Sequence, residues 1–150
     1  MNIAEVLNIE RVRLDLSITS KKSVLETLAS MIAESSNGIA QGGIFDGFVA
    51  RERLGTTGLG AGIAIPHARV GETEVVAAFV RTKRGIDFDA VDGNPVDLFI
   101  ALCVPTEAND EHLRLLASLA EKLSDDSIVA ALRATQSPSA VVASLSGAEE

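Results

Sequence analysis

The chain has no tryptophan and no tyrosine, and its aromatic share is only 3%. A protein so poor in flat side chains does not hold nucleic acid by stacking bases on aromatic rings. Its core must instead be built from Leu, Ile, Val and Ala. A single cysteine, Cys103, excludes an intramolecular disulfide. With two histidines and no H-x-x-x-H or C-x-x-C spacing, the chemistry expected needs no metal and no cofactor. Positive charge is also scarce: 13 Lys and Arg stand against 21 Asp and Glu, for a net charge of −8. That balance argues against DNA, RNA or an anionic membrane surface as the main partner and favours a protein partner carrying basic residues. Neither an apolar run of about 18 residues nor a charged-then-apolar leader occurs, so the expected compartment is cytoplasmic, with no membrane insertion.

What is present reads as one domain over residues 1–150, with a core from about 6 to 145 and a loose tail from Ser146 to Glu150. Residues 11–18 alternate as a strand. Ser20 then caps a helix carrying Val24, Leu25, Leu28, Met31 and Ile32 at helical spacing, with Asn37 and Gly38 as its stop signal. A second helix is predicted over Gly43–Arg53, ending at Gly55. The runs 75–82 and 96–104 read as strands, the second apolar on both alternating faces and therefore expected inside a sheet covered on both sides. The turn signal Asp92-Gly93-Asn94-Pro95 between them suggests that they pair. Three helices close the chain: one capped by Asn109 or Asp110 with a stripe of Leu113, Leu116, Leu119, Ala120 and Leu123, one capped by Ser124, and one opened by Ser137-Pro138.

The stretch that carries chemistry is Gly55–Arg69, GTTGLGAGIAIPHAR. Its glycines first suggest a phosphate loop. A P-loop, however, needs Lys-Ser or Lys-Thr after the last glycine, and a dinucleotide fingerprint runs strand, glycines, helix; here the order is helix, glycines, strand. Serine-hydrolase chemistry lacks its G-x-S-x-G elbow, and Cys103, inside an apolar run, reads as an inert core thiol. His67 is different. Ile63–Ile65 form a short buried strand, Pro66 ends it or brings it to an edge, and the histidine follows at a strand terminus beside the glycines.

A neutral imidazole is a competent nucleophile, and phosphoryl transfer asks mainly for positioning and for donors around the phosphoryl oxygens. The hydroxyls of Thr56 and Thr57 and the backbone N–H groups of Gly58 and Gly60 are candidate donors, and Arg51 and Arg69 are candidate clamps. The glycines are read as leaving an open surface beside His67. His112, in the first turn of a helix whose N-terminus attracts anions, comes near His67 if the 96–104 strand lies beside 63–65.

These residues resemble the active-site segment of the phosphotransferase-system enzyme IIA domains of the fructose and mannitol type. Arg51-Glu52, the run Asn94-Pro95-Val96-Asp97-Leu98, Val104-Pro105 and His112-Leu113 are in register with it, and the run from Asp87 to Pro105 looks closest to the nitrogen-regulatory branch. The resemblance implies a single α/β domain whose mixed β-sheet is flanked by helices on both faces. It implies that His67 takes a phosphoryl group from the phosphohistidine of an HPr-type carrier, with His112 assisting and Arg51 contacting phosphate, so that the chain is a phosphotransferase component whose phosphorylation state regulates partner proteins. Two alternatives stand beside it. One is the IIA component of a sugar transporter that passes the group to a IIB cysteine, expected on another chain because no such segment follows Glu150 here. The other is a regulatory binding module that is never phosphorylated.

Overall fold

A computed structural model of the chain describes residues 2–35, 39–71 and 74–147. After two short 3-10 turns, Ile3–Glu5 and Ile9–Arg11, come β1 (Val12–Leu16), α1 (Lys21–Ser35) and α2 (Gln41–Arg53). Then follow β2 (Gly58–Gly60), β3 (Ile63–Ala64), β4 (His67–Arg69), β5 (Val76–Ile86), β6 (Val96–Val104), α3 (Asp110–Lys122), α4 (Asp126–Ala134) and α5 (Pro138–Ser146). The six strands form one mixed sheet in the order β1-β5-β6-β3-β2, with β4 also on β6. β5 and β6 are antiparallel, as the turn between them predicts, whereas β1 runs parallel to β5 and both β3 and β4 run parallel to β6.

The period of two along β6 explains why both faces are covered. Phe99, Ala101 and Cys103 point into a core shared with α1 and α2. Leu98, Ile100 and Leu102 point into a second core built with α3, α4, α5 and the N-terminal turns. This is the layered α/β architecture expected, with a central strand buried throughout 98–103, where the sequence shows its long apolar run.

Four local expectations shift. β5 extends to Ile86, well past Thr82, because its outer half still pairs with β6 through Ile86 opposite Val96. The second closing helix is capped by Asp125, whose carboxylate accepts from the N–H groups of Ser127 and Ile128, while the Ser124 hydroxyl turns back to the Glu121 carbonyl. The buried stripe of α3 is Leu115, Leu119 and Leu123, rotated from the predicted one; Leu116 and Ala120 are only partly buried and Leu113 is 55% exposed. At the chain end, Ser146 belongs to α5 and Gly147 caps it in the left-handed region with φ 71, so these two residues are not a loose tail; 148–150 lie outside the described residues. The expected stop at Asn37 and Gly38 likewise lies outside the described residues.

Pro66 interrupts the ladder without ending the strand. β3 pairs Ile63 with Leu98 and Ala64 with Phe99, and β4 pairs His67 with Leu102 and Ala68 with Cys103, so the register is the same on either side of the break. Proline has no N–H to give a ladder, yet its carbonyl still accepts from Leu102 at 2.9 Å. β2 flanks only the first half of this line. His67 is therefore the first residue of an edge segment that α2 packs against.

Candidate functional site

His67, Arg51, Arg69 and His112 line one cavity of about 460 Å³ between the last turns of α2, β4 and the first turns of α3. Its rim is apolar, with Leu54, Leu113 and Leu116; Leu54 is 85% exposed. Parallel pairing of β3 and β4 with β6 is what brings the two histidines together, since the chain leaving β6 turns directly into α3 beside β4.

The partly buried imidazole of His67 is held at both nitrogens. Nδ1 lies 2.8 Å from the Ile65 carbonyl, and Nε2 lies 3.2 Å from Nε of Arg51. A carbonyl only accepts and a guanidinium only donates, so the network assigns the proton to Nδ1 and leaves the lone pair on Nε2. Burial pushes this imidazole below its ordinary 6.5; the Ile65 hydrogen bond and Glu52 oppose that, while Arg51 and Arg69 add to it. The ring is thus neutral and nucleophilic near pH 7. Arg51 is fixed by a second bond, Nη1 to the Gly55 carbonyl at 2.7 Å.

Placing Arg51 there depends on a residue that the sequence reading passed over. One turn earlier on the same helix face, Gly47 faces β4, and a Cβ built on it would lie 2.8 Å from Cβ of Ala68. Only a residue without a side chain lets α2 come this close.

His112 is the third residue of α3 and closes a reciprocal cap. Asn109 accepts from the His112 N–H through its side chain, and the Asn109 N–H donates to Nδ1 of His112 at 3.0 Å. An amide N–H only donates, so in the neutral ring the His112 proton sits on Nε2.

The predicted loop donors are elsewhere. None of Thr56, Thr57, Gly58 and Gly60 lines the cavity. The Thr56 hydroxyl donates to the Phe88 carbonyl at 3.0 Å and accepts from the Gly58 N–H at 3.0 Å. Buried Thr57 gives both its N–H and its hydroxyl to the Glu52 carboxylate. Gly60 lies in the tight β2–β3 hairpin at φ +100, packed near Asp92. Gly58, Gly60 and Gly62 therefore build a hairpin and close contacts to Ala90, Asp92 and Arg133, and do not line the cavity at His67. The donors of Thr56, Thr57 and Gly58 are consumed locally, a use that composition alone does not distinguish from phosphate binding.

Cys103 is buried in the α1/α2 core, and its thiol is pushed up to about 11 by burial. Among the described residues, no group of three or more His, Cys, Asp or Glu side chains is placed to hold a metal ion, and no helix is long and apolar enough to cross a membrane.

A mixed six-stranded sheet clad with helices on both faces is the fold of solved phosphotransferase-system IIA proteins. Residues 5–147 match the family described as "Phosphoenolpyruvate-dependent sugar phosphotransferase system, EIIA 2", and the chain belongs to it. A nitrogen regulatory protein of Klebsiella oxytoca is 39% identical over 139 residues, covering 91% of this chain and 85% of that protein. The crystal structure of nitrogen regulatory protein IIA-Ntr from Neisseria meningitidis superposes with a TM-score of 0.89 at 40% identity, covering 95% of this chain and 98% of that one. Escherichia coli enzyme IIAMTL, solved in complex with phosphorylated enzyme IIBMTL, shares the fold with a TM-score of 0.77 at 21% identity, covering 95% and 99%.

Proposed function

We propose that this chain is a cytoplasmic phosphoryl-accepting regulator: Nε2 of His67 attacks the phosphorus of a phosphohistidine on an HPr-type carrier, and the resulting phosphorylation state sets which partner proteins are bound. The observation that supports it best is the pairing of His67 Nδ1 with the Ile65 carbonyl, which leaves Nε2 as the nucleophile inside a cavity holding two arginines. In the transfer, the bond from phosphorus to the carrier nitrogen breaks as the bond to Nε2 of His67 forms, and the carrier imidazole leaves with that electron pair. The His67 ring gains positive charge, and its Nδ1–H stays bonded to the Ile65 carbonyl. Arg51 moves its Nε–H from the Nε2 lone pair to a phosphoryl oxygen as the new bond forms, while its Gly55 contact keeps the guanidinium in place. The Nε2–H of His112 is a donor to a second oxygen. Leu54, Leu113 and Leu116 give the carrier an apolar surface to cover, and the acidic chain attracts its basic residues.

Identity near 40% to nitrogen regulatory proteins, against 30% to the fructose-specific EIIA component of Haloferax volcanii and 21% to the mannitol protein, favours regulation over sugar transport. Incubation with a phosphorylated HPr-type carrier should give an acid-labile, base-stable phosphoprotein whose phosphorus resonance reports Nε2. His67→Ala should abolish it, and label persisting in that variant would overturn the assignment. Efficient onward transfer to an isolated IIB cysteine would return the sugar-transport reading.

A further inference from the structure

Next to Arg51 in the last turn of α2 stands a carboxylate that never reaches the cavity. The Glu52 side chain is only 7% exposed, and its oxygens accept from Lys21 Nζ at 3.0 Å, from the Thr57 N–H at 3.2 Å, and from the Thr57 hydroxyl. Burying a carboxylate is not the most stabilising choice for such a place, since a well-packed apolar side chain would avoid the desolvation. The path leading away from it gives the carboxylate a use. The Thr57 carbonyl accepts the Ile65 N–H at 3.1 Å, and the Ile65 carbonyl accepts Nδ1–H of His67 at 2.8 Å. Ile65 sits at the break in the β3–β4 line, where β2 has ended and Pro66 offers no N–H. The Thr57 bond is therefore what holds Ile65 on its outer side, through the peptide unit that precedes the one carrying its carbonyl.

We propose that Glu52, clasping Thr57 and steadied by Lys21, is a positioning residue that fixes the Ile65 carbonyl and thereby keeps the proton of His67 on Nδ1. Without the clasp, the carbonyl swings and the imidazole loses its acceptor; the Arg51 N–H alone then opposes a proton on Nε2, and the part of the population that carries one there is blocked from attack. The loop has an independent anchor in the Thr56 contacts with Phe88 and Gly58, and Lys21 keeps Asp89 at 3.5 Å and the Phe88 ring at 4.6 Å. Loosening the clasp thus leaves the fold in place.

The inference rests on the proposed role of His67, and two readouts separate the two ideas. In the full unphosphorylated chain, nitrogen-15 NMR of the His67 ring reports the tautomer without any transfer. The initial rate with phosphorylated HPr-type carrier at saturation reports its consequence. Glu52→Gln and Thr57→Val are expected to give a mixed tautomer and a rate lowered roughly tenfold, with half-saturation unchanged; Thr57→Ser, which keeps the hydroxyl, should behave as the parent. Parent-like tautomer and rate in Thr57→Val, or a Thr57→Ser as impaired as Thr57→Val, would overturn the proposal, and Thr57→Val decides alone if Glu52→Gln does not fold. A parent chain that takes no phosphoryl group would defeat the functional reading, while the tautomer populations would still decide this one.

Discussion

His67 and His112 line the same cavity, and in both rings the backbone engages Nδ1, yet the engagement is opposite in sign. A carbonyl at His67 demands a proton on Nδ1, and an amide N–H at His112 forbids one there. One residue is therefore left with a lone pair on Nε2 and the other with an N–H. Two chemically identical side chains are thereby set in opposite tautomers, the lone pair fitting the nucleophile proposed for His67 and the N–H the donor proposed for His112, with strand β4 and Arg51 supplying one environment and the capped end of α3 the other.

The comparison breaks most severely at the group that bridges nucleophile and phosphate. Arg51→Ala removes the donor to Nε2 and should lower the transfer rate on the order of 10² to 10³, the usual loss when a fixed donor to a developing charge is deleted. Steady initial rates with phosphorylated carrier measure it. Arg51→Lys should recover little, because a lysine does not hold the Gly55 carbonyl and the ring together as the planar fork does. His112→Ala comes next. Losing one charge-assisted hydrogen bond of about 1.5–3 kcal/mol corresponds to roughly a ten- to hundredfold slower transfer. Asn109 keeps its side-chain bond to the Glu111 N–H, so the far-ultraviolet spectrum should be unchanged.

A smaller effect is the dependence of His67 on pH. The imidazole of folded His67 is held below 6.5, chiefly by burial, whereas in the unfolded chain it titrates near that value. The unfolded state therefore binds the proton first as pH falls. Stability contributed by neutral His67 is complete above 6.5 and is lost as pH drops from there to the folded value. Transfer rate should stay level through 6.5 and decline only as pH approaches the lower folded value, where the nucleophile takes up its proton. Chemical denaturation from pH 8 to 5 on the parent and on His67→Gln tests this; an unchanged slope between the two proteins would contradict it.

The helices and the longer strands were legible through local signals such as the two-sided run of β6, the helical spacing of α1 and the Ser137-Pro138 start of α5, whereas β2 and β4, at three residues each, are too short to carry a period and were not foreseen. His67, Arg51 and His112 were legible as candidates through residue type and order, and the structure brings all three to one cavity. Thr56 and Thr57 misled because a hydroxyl's partner is a matter of tertiary placement: Glu52 and the Phe88 carbonyl claimed them first. The rotation of α3 misled for a related reason. Leu113 satisfies helical spacing as well as Leu115 does, but it faces the cavity while Leu115 meets the sheet. Glu52 looked like one of a run of charges at a helix end, and its burial follows only once the loop after α2 folds back over it.

Gly47 shows the same limit in its purest form, since a glycine within a helix reads as a defect. Replacing it with alanine should help the isolated helix by up to about 1 kcal/mol. In the folded chain the new methyl would meet Cβ of Ala68 at 2.8 Å and Cγ2 of Val70 at 3.3 Å, and neither is the tip of a flexible side chain. Overpacking of this kind costs about 1–3 kcal/mol, so the net expectation for Gly47→Ala is a loss of roughly 1 kcal/mol in chemical denaturation. The retreat of α2 from β4 has a direction as well as a cost. It lengthens the 3.2 Å contact between Arg51 and Nε2 of His67, because both lie along the same face of contact. Transfer should then slow severalfold while His112 keeps its bond to Asn109, an effect visible as a shifted His67 ring resonance beside an unshifted His112 one. Equal shifts of the two rings would mean that α2 and α3 move together, and that Gly47 does not set the Arg51 contact alone.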